Sequence, residues 1–128
     1  MMNETTNETN PVIKAAMANI EANSKAVELH EALKRLQNNP DYKLVIEESY
    51  FSNEKERVAE ILTEPTVVSR DIVENLMDQL TSIRNVKSHL ELIAVRARNA
   101  AKYIKDDEEI IAQVENGTYT NPNTEYED

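Results

Sequence analysis

The chain lacks several residue types on which large protein classes depend. Its 128 residues include no cysteine, no tryptophan and a single glycine. The absence of cysteine excludes disulfide frameworks, thiolate metal sites and a cysteine nucleophile. One glycine is too few for the tight turns of β-sandwiches and barrels, or for a glycine-rich phosphate loop. The composition therefore predicts an all-α protein.

Long apolar runs are also missing. No stretch approaches the ~18 consecutive apolar residues that indicate a membrane span, and no basic segment precedes an apolar one as in a secretory signal. The sequence therefore predicts a protein that neither enters a membrane nor is secreted by a signal peptide.

Charge is abundant but unevenly distributed along the chain. The 24 acidic residues exceed the 14 basic ones, giving a formal charge of −10. Residues 1–69 carry a net −5, residues 70–105 a net +3, and residues 106–128 a net −8 with no basic residue. A basic stretch beside an acidic one indicates either charge pairing between helices or copies, or a solvated polar face. The acidic total and the single aromatic residue in the basic stretch, Tyr103, argue against direct nucleic-acid binding.

The pattern predicts one helical domain between two polar ends. Residues 1–10 and 116–128 offer little to bury, so we expect a flexible N-terminal arm and a flexible acidic C-terminal tail around a single domain over 11–115. A first helix over about 11–37 begins at the N-cap Asn10 and Pro11 and ends before Pro40. Its apolar row shifts at Asn23–Ser24, which leaves a change of face and a local bend both open.

Two short helices are predicted between the first helix and a long one. Pro40 opens a helix with Tyr42, Val45 and Ile46, and Ser52–Asn53 interrupts it. A further short helix carries Val58, Ile61 and Leu62, and its start has capping-box spacing at Asn53 and Glu56. The triplet Thr66-Val67-Val68 resembles a strand but is too short and isolated to pair.

The strongest pattern is a glycine-free and proline-free stretch from Ser69 to Glu115. Apolar residues recur every seven positions within a wide stripe, which is typical of a helix packed in a bundle. Asn116-Gly117 is a good stop for this helix. Asp106 and Glu109 also resemble a helix start, but the unbroken repeat favours one helix over about 70–115.

A helix of that length exceeds what the rest of the chain can cover. It would extend about 65–70 Å, against about 40 Å for the first helix, so we expect an extended helical hairpin or bundle with apolar surface left over. That surface predicts a homo-oligomer or a place in a larger assembly. The predicted assembly face comprises Leu76, Leu80, Ile83, Leu90, Ile93, Ala97, Ile104 and Ile111.

No residue constellation indicates catalysis. His30 and His89 lie on different helices without a metal-ligand pattern, and Glu47-Glu48 and Asp106 to Glu109 are neighbouring acids expected to stay hydrated. We therefore predict no enzyme activity, no catalytic or metal residues and no cofactor.

Aromatic residues concentrate in residues 38–51. Tyr42, Tyr50 and Phe51 account for three of the chain's six aromatics. They either fill the bend between the long helices or form a docking patch for a protein partner.

From residue 38 the chain has an Asn-Asn-Pro-Asp-Tyr-Lys opening and a later Glu-x-x-Tyr-Phe, followed by a short helix and then a long one. This arrangement resembles small helical proteins encoded by tailed bacteriophages beside head and virion genes. The resemblance covers about residues 34–115. It implies a minor virion or head and neck assembly component, located in the virion or the host cytoplasm and acting through helix-mediated protein contacts. The alternative is a small acidic inhibitor or regulator of a nucleic-acid enzyme.

Overall fold

The protein was analysed as a computed structural model that describes residues 10–66 and 69–120. The expectations for residues 1–9, for residues 121–128 and for Val67 and Val68 therefore lie outside the described residues. The described chain is helical without any strand, which confirms the all-α prediction. In chain order the helices are α1 (Pro11–Gln37), α2 (Pro40–Tyr42), a π-helix (Lys43–Glu54), α3 (Lys55–Thr63) and α4 (Arg70–Glu115).

The start of α1 is fixed by Asn10, as predicted. Its side-chain oxygen accepts hydrogen bonds from the backbone N–H groups of Val12 and Ile13, at 2.9 and 3.3 Å. Two of the unpaired donors at a helix start are thereby satisfied, and Pro11 has no N–H to satisfy.

The helix continues through Asn23 and Ser24. Both side chains bond to carbonyl oxygens four residues earlier, Asn23 to Asn19 at 3.0 Å and Ser24 to Ile20 at 2.7 Å. A half-buried serine hydroxyl thus has a partner within its own helix.

Residues 40–63 form one helical run instead of two short helices. Asn39 caps its start as predicted, accepting from the Asp41 N–H at 2.8 Å. The predicted interruption at Ser52–Asn53 is wrong, because both residues lie inside the π-helix and Asn53 caps no new helix. Backbone hydrogen bonds between residues i and i+5 continue through Ser52 and Asn53. Helices bonded in this way are rare beyond a single turn.

The long helix α4 is continuous, including at Asp106. It ends at Glu115 and is followed by Gly117, whose φ of +74° is the left-handed conformation that glycine adopts without a steric cost. The Gly117 N–H bonds to the Val114 carbonyl at 3.2 Å and the Thr118 N–H to the Gln113 carbonyl at 2.8 Å. This is a Schellman motif, and it confirms the predicted stop.

The described residues divide into two compact units, and each unit contains part of α1 and part of α4. Of the described residues, unit 1 contains 10–28 and 96–120, and unit 2 contains 29–66 and 69–95. The expectation of a single domain over 11–115 stays a prediction.

In unit 1 the two long helices run antiparallel. The first turns of α1 and the last turns of α4 line a shared hollow, together with Tyr119. The buried apolar residues are mostly small: Ile13, Ala16, Ala97 and Ala100.

In unit 2 the end of α1, residues 40–63 and the first part of α4 surround a core of larger side chains. Val58 of α3 is 0% exposed and is the most deeply buried of them. The buried apolar residues are Leu33, Val58, Leu76, Ile83 and Ile93.

Candidate protein-binding site

Three helical segments of unit 2 enclose a cleft of about 710 Å³, which we call the central cleft. This volume falls in the range of ligand-sized pockets. Its walls combine apolar and aromatic side chains with charges of both signs. The lining residues are His30, Leu33, Gln37, Tyr42, Glu47, Phe51, Ser52, Lys55, Glu56, Ala59, Lys87, Leu90, Glu91 and Ala94.

A second hollow of about 480 Å³, which we call the basic groove, adjoins the central cleft. The two share Phe51, Lys55, Lys87 and Glu91 and therefore adjoin, and we call them together the depression of unit 2. Three basic side chains, one acidic one and several apolar ones line the groove, although the whole chain is strongly acidic. The lining residues are Phe51, Lys55, Met77, Leu80, Thr81, Ile83, Arg84, Lys87, Ser88 and Glu91.

The hydroxyl of Tyr42 is an unpaired polar group in the wall of the central cleft. Its oxygen is buried and has no hydrogen-bond partner among the described residues. A buried hydroxyl without a partner costs about 1–3 kcal/mol, and this oxygen is out of reach of solvent, so it is an unsatisfied group inside unit 2 and not a contact point for an occupant of the cleft.

The structure brings together two of the three aromatic residues of the predicted docking patch. Tyr42 and Phe51 both line the central cleft, whereas Tyr50 lines a separate hollow with Glu54 and residues of α4. The Tyr50 and Phe51 rings still touch, with centroids 5.7 Å apart and planes tilted by 41°.

The π-helix explains this division of the aromatic residues. Nine residues make two and a half turns of an α-helix, but only about two turns of a helix bonded from i to i+5. Phe51 therefore returns to the side of Tyr42, and Tyr50 does not. Sequence periodicity at 3.6 residues could not have indicated this pairing.

All eight residues of the predicted assembly face are covered to some extent by the described chain itself. Four are buried and four are half-buried, and none is exposed. Their role in contacts between chains stays a prediction, because the stripe packs on other helices within each unit. The buried four are Leu76, Ile83, Ile93 and Ala97; the half-buried four are Leu80, Leu90, Ile104 and Ile111.

Large exposed apolar side chains lie elsewhere, and they concentrate in unit 2. Among the described residues there are eleven, of which only Met17 and Tyr103 belong to unit 1. Two turns of α1 separate Leu29 and Leu36, which are 54% and 50% exposed. The nine in unit 2 are Leu29, Leu36, Leu44, Val45, Ile72, Met77, Val86, Leu92 and Val95.

The ion pairs of the described chain are local contacts on helix surfaces. Lys34 pairs with Glu31 at 2.8 Å, and Arg70 with Glu74 at 3.5 Å. Arg57 donates from Nε to both carboxylate oxygens of Glu54, at 3.1 and 3.2 Å. The hydrogen bond from Lys34 lowers the pKa of the Glu31 carboxyl. The hydrogen bond between Arg57 and Glu54 lowers the pKa of the Glu54 carboxyl and raises the pKa of Arg57.

The two histidines occupy different surroundings. His30 is half-buried in the wall of the central cleft, and His89 is exposed on α4. In the part of the chain that is described, no three His, Asp or Glu side chains are grouped as metal ligands. No helix over those residues is long and apolar enough to cross a bilayer.

Fold and site together define an all-α chain with a mixed apolar and basic depression in one of its two units. No protein-family model matches the chain, and no curated protein or solved structure matches it.

Proposed function

We propose that this protein is a non-enzymatic assembly protein that acts through helix-mediated protein contacts, and that unit 2 carries the contact surface. The observation that carries the proposal is the concentration of nine exposed large apolar side chains in unit 2. Burying one such side chain contributes about 1.5–3 kcal/mol. A partner that covers several of them therefore gains enough free energy for a stable complex.

The depression in unit 2 supports the same proposal. Protein interfaces depend on a few anchoring side chains that enter well-defined pockets, with aromatic residues prominent among them. The central cleft offers such a pocket beside Tyr42 and Phe51. Its charged rim supplies the polar border that surrounds the apolar centre of most interfaces.

The setting we propose is the head or neck region of a tailed bacteriophage particle, or its assembly pathway. The support is the resemblance of residues 34–115 to small helical proteins encoded beside phage head and virion genes. In this setting the partners are virion proteins and further copies of the chain.

The experiment compares matched variants on α1. Replacing Leu29 and Leu36 with glutamine removes two exposed side chains of unit 2, and Met17→Gln, at a position 58% exposed in unit 1, is the control. We expect the double variant to lose about 3 kcal/mol or more of association free energy, roughly a hundredfold in affinity, while the control stays within threefold of the parent. Sedimentation of the pure chain measures self-association, and capture from source cells measures partner binding, for the double variant and the control.

Two results would contradict the proposal. One is a parent chain that neither self-associates at micromolar concentration nor captures a virion protein. The other is recovery of a polymerase or nuclease instead, which would support the acidic-inhibitor alternative.

A further inference from the structure

We propose that the basic groove binds the acidic C-terminal segment, residues 121–128, of a second copy of this chain. The inference deepens the proposed function, since it names one partner and one site for the assembly contact. It rests on the chemistry of the groove, which suits a segment that combines carboxylates with an aromatic ring.

The charge of the groove is opposite to that of the chain around it. Lys55, Arg84 and Lys87 line it with Glu91 as the one acidic neighbour. All three basic residues are exposed, and none takes part in an ion pair among the described residues. An anionic segment would therefore meet three available cations, and charge complementarity of this kind selects the partner and fixes its position.

The apolar lining of the groove suits a large, flat side chain. This lining includes Phe51, Met77 and Leu80, and a methionine thioether and an aromatic ring both pack well on a tyrosine face. Met77 is half exposed, so an occupant would remove apolar surface from water.

The segment 121–128 matches both features of the groove. Its sequence, Asn-Pro-Asn-Thr-Glu-Tyr-Glu-Asp, places three carboxylates around Tyr126. Residues 1–9 at the other end carry only two carboxylates and no aromatic side chain. The helical acids from Asp106 to Glu109 also lack an aromatic neighbour at i±1 or i±2. The C-terminal segment is therefore the better fit.

A contact between the groove of one copy and the segment of the next joins two different surfaces. A reciprocal exchange between two copies closes as a two-fold dimer, whereas a one-way exchange builds larger rings or open chains. The inference thus predicts self-association at high concentration, by either route.

The test uses the full chain with single substitutions. Lys87→Glu places a carboxylate in the groove, and Lys25→Glu, an exposed lysine on α1 in unit 1, makes the same charge change away from it. We expect Lys87→Glu and Tyr126→Ala each to weaken self-association by about tenfold or more in sedimentation, and Lys25→Glu to leave it within threefold. Circular dichroism confirms that the helices remain in each variant.

Mixing the two impaired variants shows whether the contact joins separate copies. The Lys87→Glu protein keeps an intact segment, and the Tyr126→Ala protein keeps an intact groove, so one contact remains between them. We expect a one-to-one complex with an affinity close to that of the parent contact. If the mixture stays monomeric while the parent associates, the second copy is not the occupant.

The inference and the proposed function fail differently. Undiminished self-association of Tyr126→Ala, or a parent that stays monomeric yet captures virion proteins, overturns the inference and leaves the proposed function standing. Loss of self-association in Tyr126→Ala with partner capture intact supports both.

Discussion

Unit 1 and unit 2 are built from the same two long helices, yet they fill their interiors with different side chains. Three of the four buried apolar residues in unit 1 are alanines, whereas all five in unit 2 are leucine, isoleucine or valine. Small side chains allow helix backbones to approach closely and leave little apolar surface uncovered. Unit 2 buries larger side chains, and its residues also line the central cleft and the basic groove.

The exposed surfaces of the two units also differ, and that of unit 2 has more large apolar side chains. Unit 2 has nine of the eleven exposed large apolar side chains and the basic groove, while unit 1 has two and carries the acids from Asp106 to Glu109. Exposed apolar surface is more often found where a partner binds. The comparison therefore favours the proposal that unit 2 carries the contact surface.

The largest expected effect is on the core of unit 2. Ile83→Asp places an unpaired charge at a position 4% exposed, and we expect it to lower the free energy of unfolding by about 3–5 kcal/mol. Val86→Asp, three residues along α4 and exposed, should cost about 1 kcal/mol or less. Urea unfolding followed by circular dichroism measures both. Equal losses would mean that α4 does not present Ile83 to a core.

An intermediate effect is expected in unit 1. Ala100 is 2% exposed and its neighbour Ala101 is exposed, so the two positions form a matched pair. We expect Ala100→Leu to destabilise the chain by about 1–3 kcal/mol because the close-packed interface has no room for three more carbons. Ala101→Leu should be nearly neutral in the same unfolding experiment. Tolerance of leucine at 100 would remove the contrast between the two cores.

The smallest effect is the pH dependence of the Glu54–Arg57 pair. Hydrogen bonds from Arg57 hold the pKa of the Glu54 carboxyl below its ordinary value. The pair's contribution to stability is therefore present above the ordinary carboxyl pKa and is lost as the pH falls through the lowered, folded-state pKa. In NMR titrations we expect Arg57→Gln to raise the pKa of Glu54 and Lys34→Gln to leave it unchanged. If the pKa of Glu54 is unchanged in the Arg57→Gln variant, the pair does not form.

Much of the helix pattern could be predicted from the sequence because its signals are local. Asn10 with Pro11, Asn39 with Pro40, and Asn116 with Gly117 each mark a helix end through backbone chemistry within a few residues. The seven-residue repeat likewise predicted an unbroken α4.

The rest could not be predicted, because it depends on packing between helices. The π-helix has no composition of its own, so the sequence predicts an interruption at Ser52 and Asn53 and does not indicate the split between Tyr50 and Phe51. The apolar stripe of α4 shows that a face is buried but not what covers it. The grouping of Lys55 with Arg84 and Lys87 had no sequence pattern at all, since it joins two helices.

The central proposal is that the helices of unit 2, and not those of unit 1, form the surface that partners cover. Amide hydrogen exchange of the chain, free and in its assembly, tests this most directly, because it reports protection peptide by peptide. We predict that protection increases on assembly in residues 29–37, 43–54 and 86–95, while α1 and α4 within unit 1 exchange as in the free chain. Added protection confined to residues 11–28 and 96–115 would contradict the account.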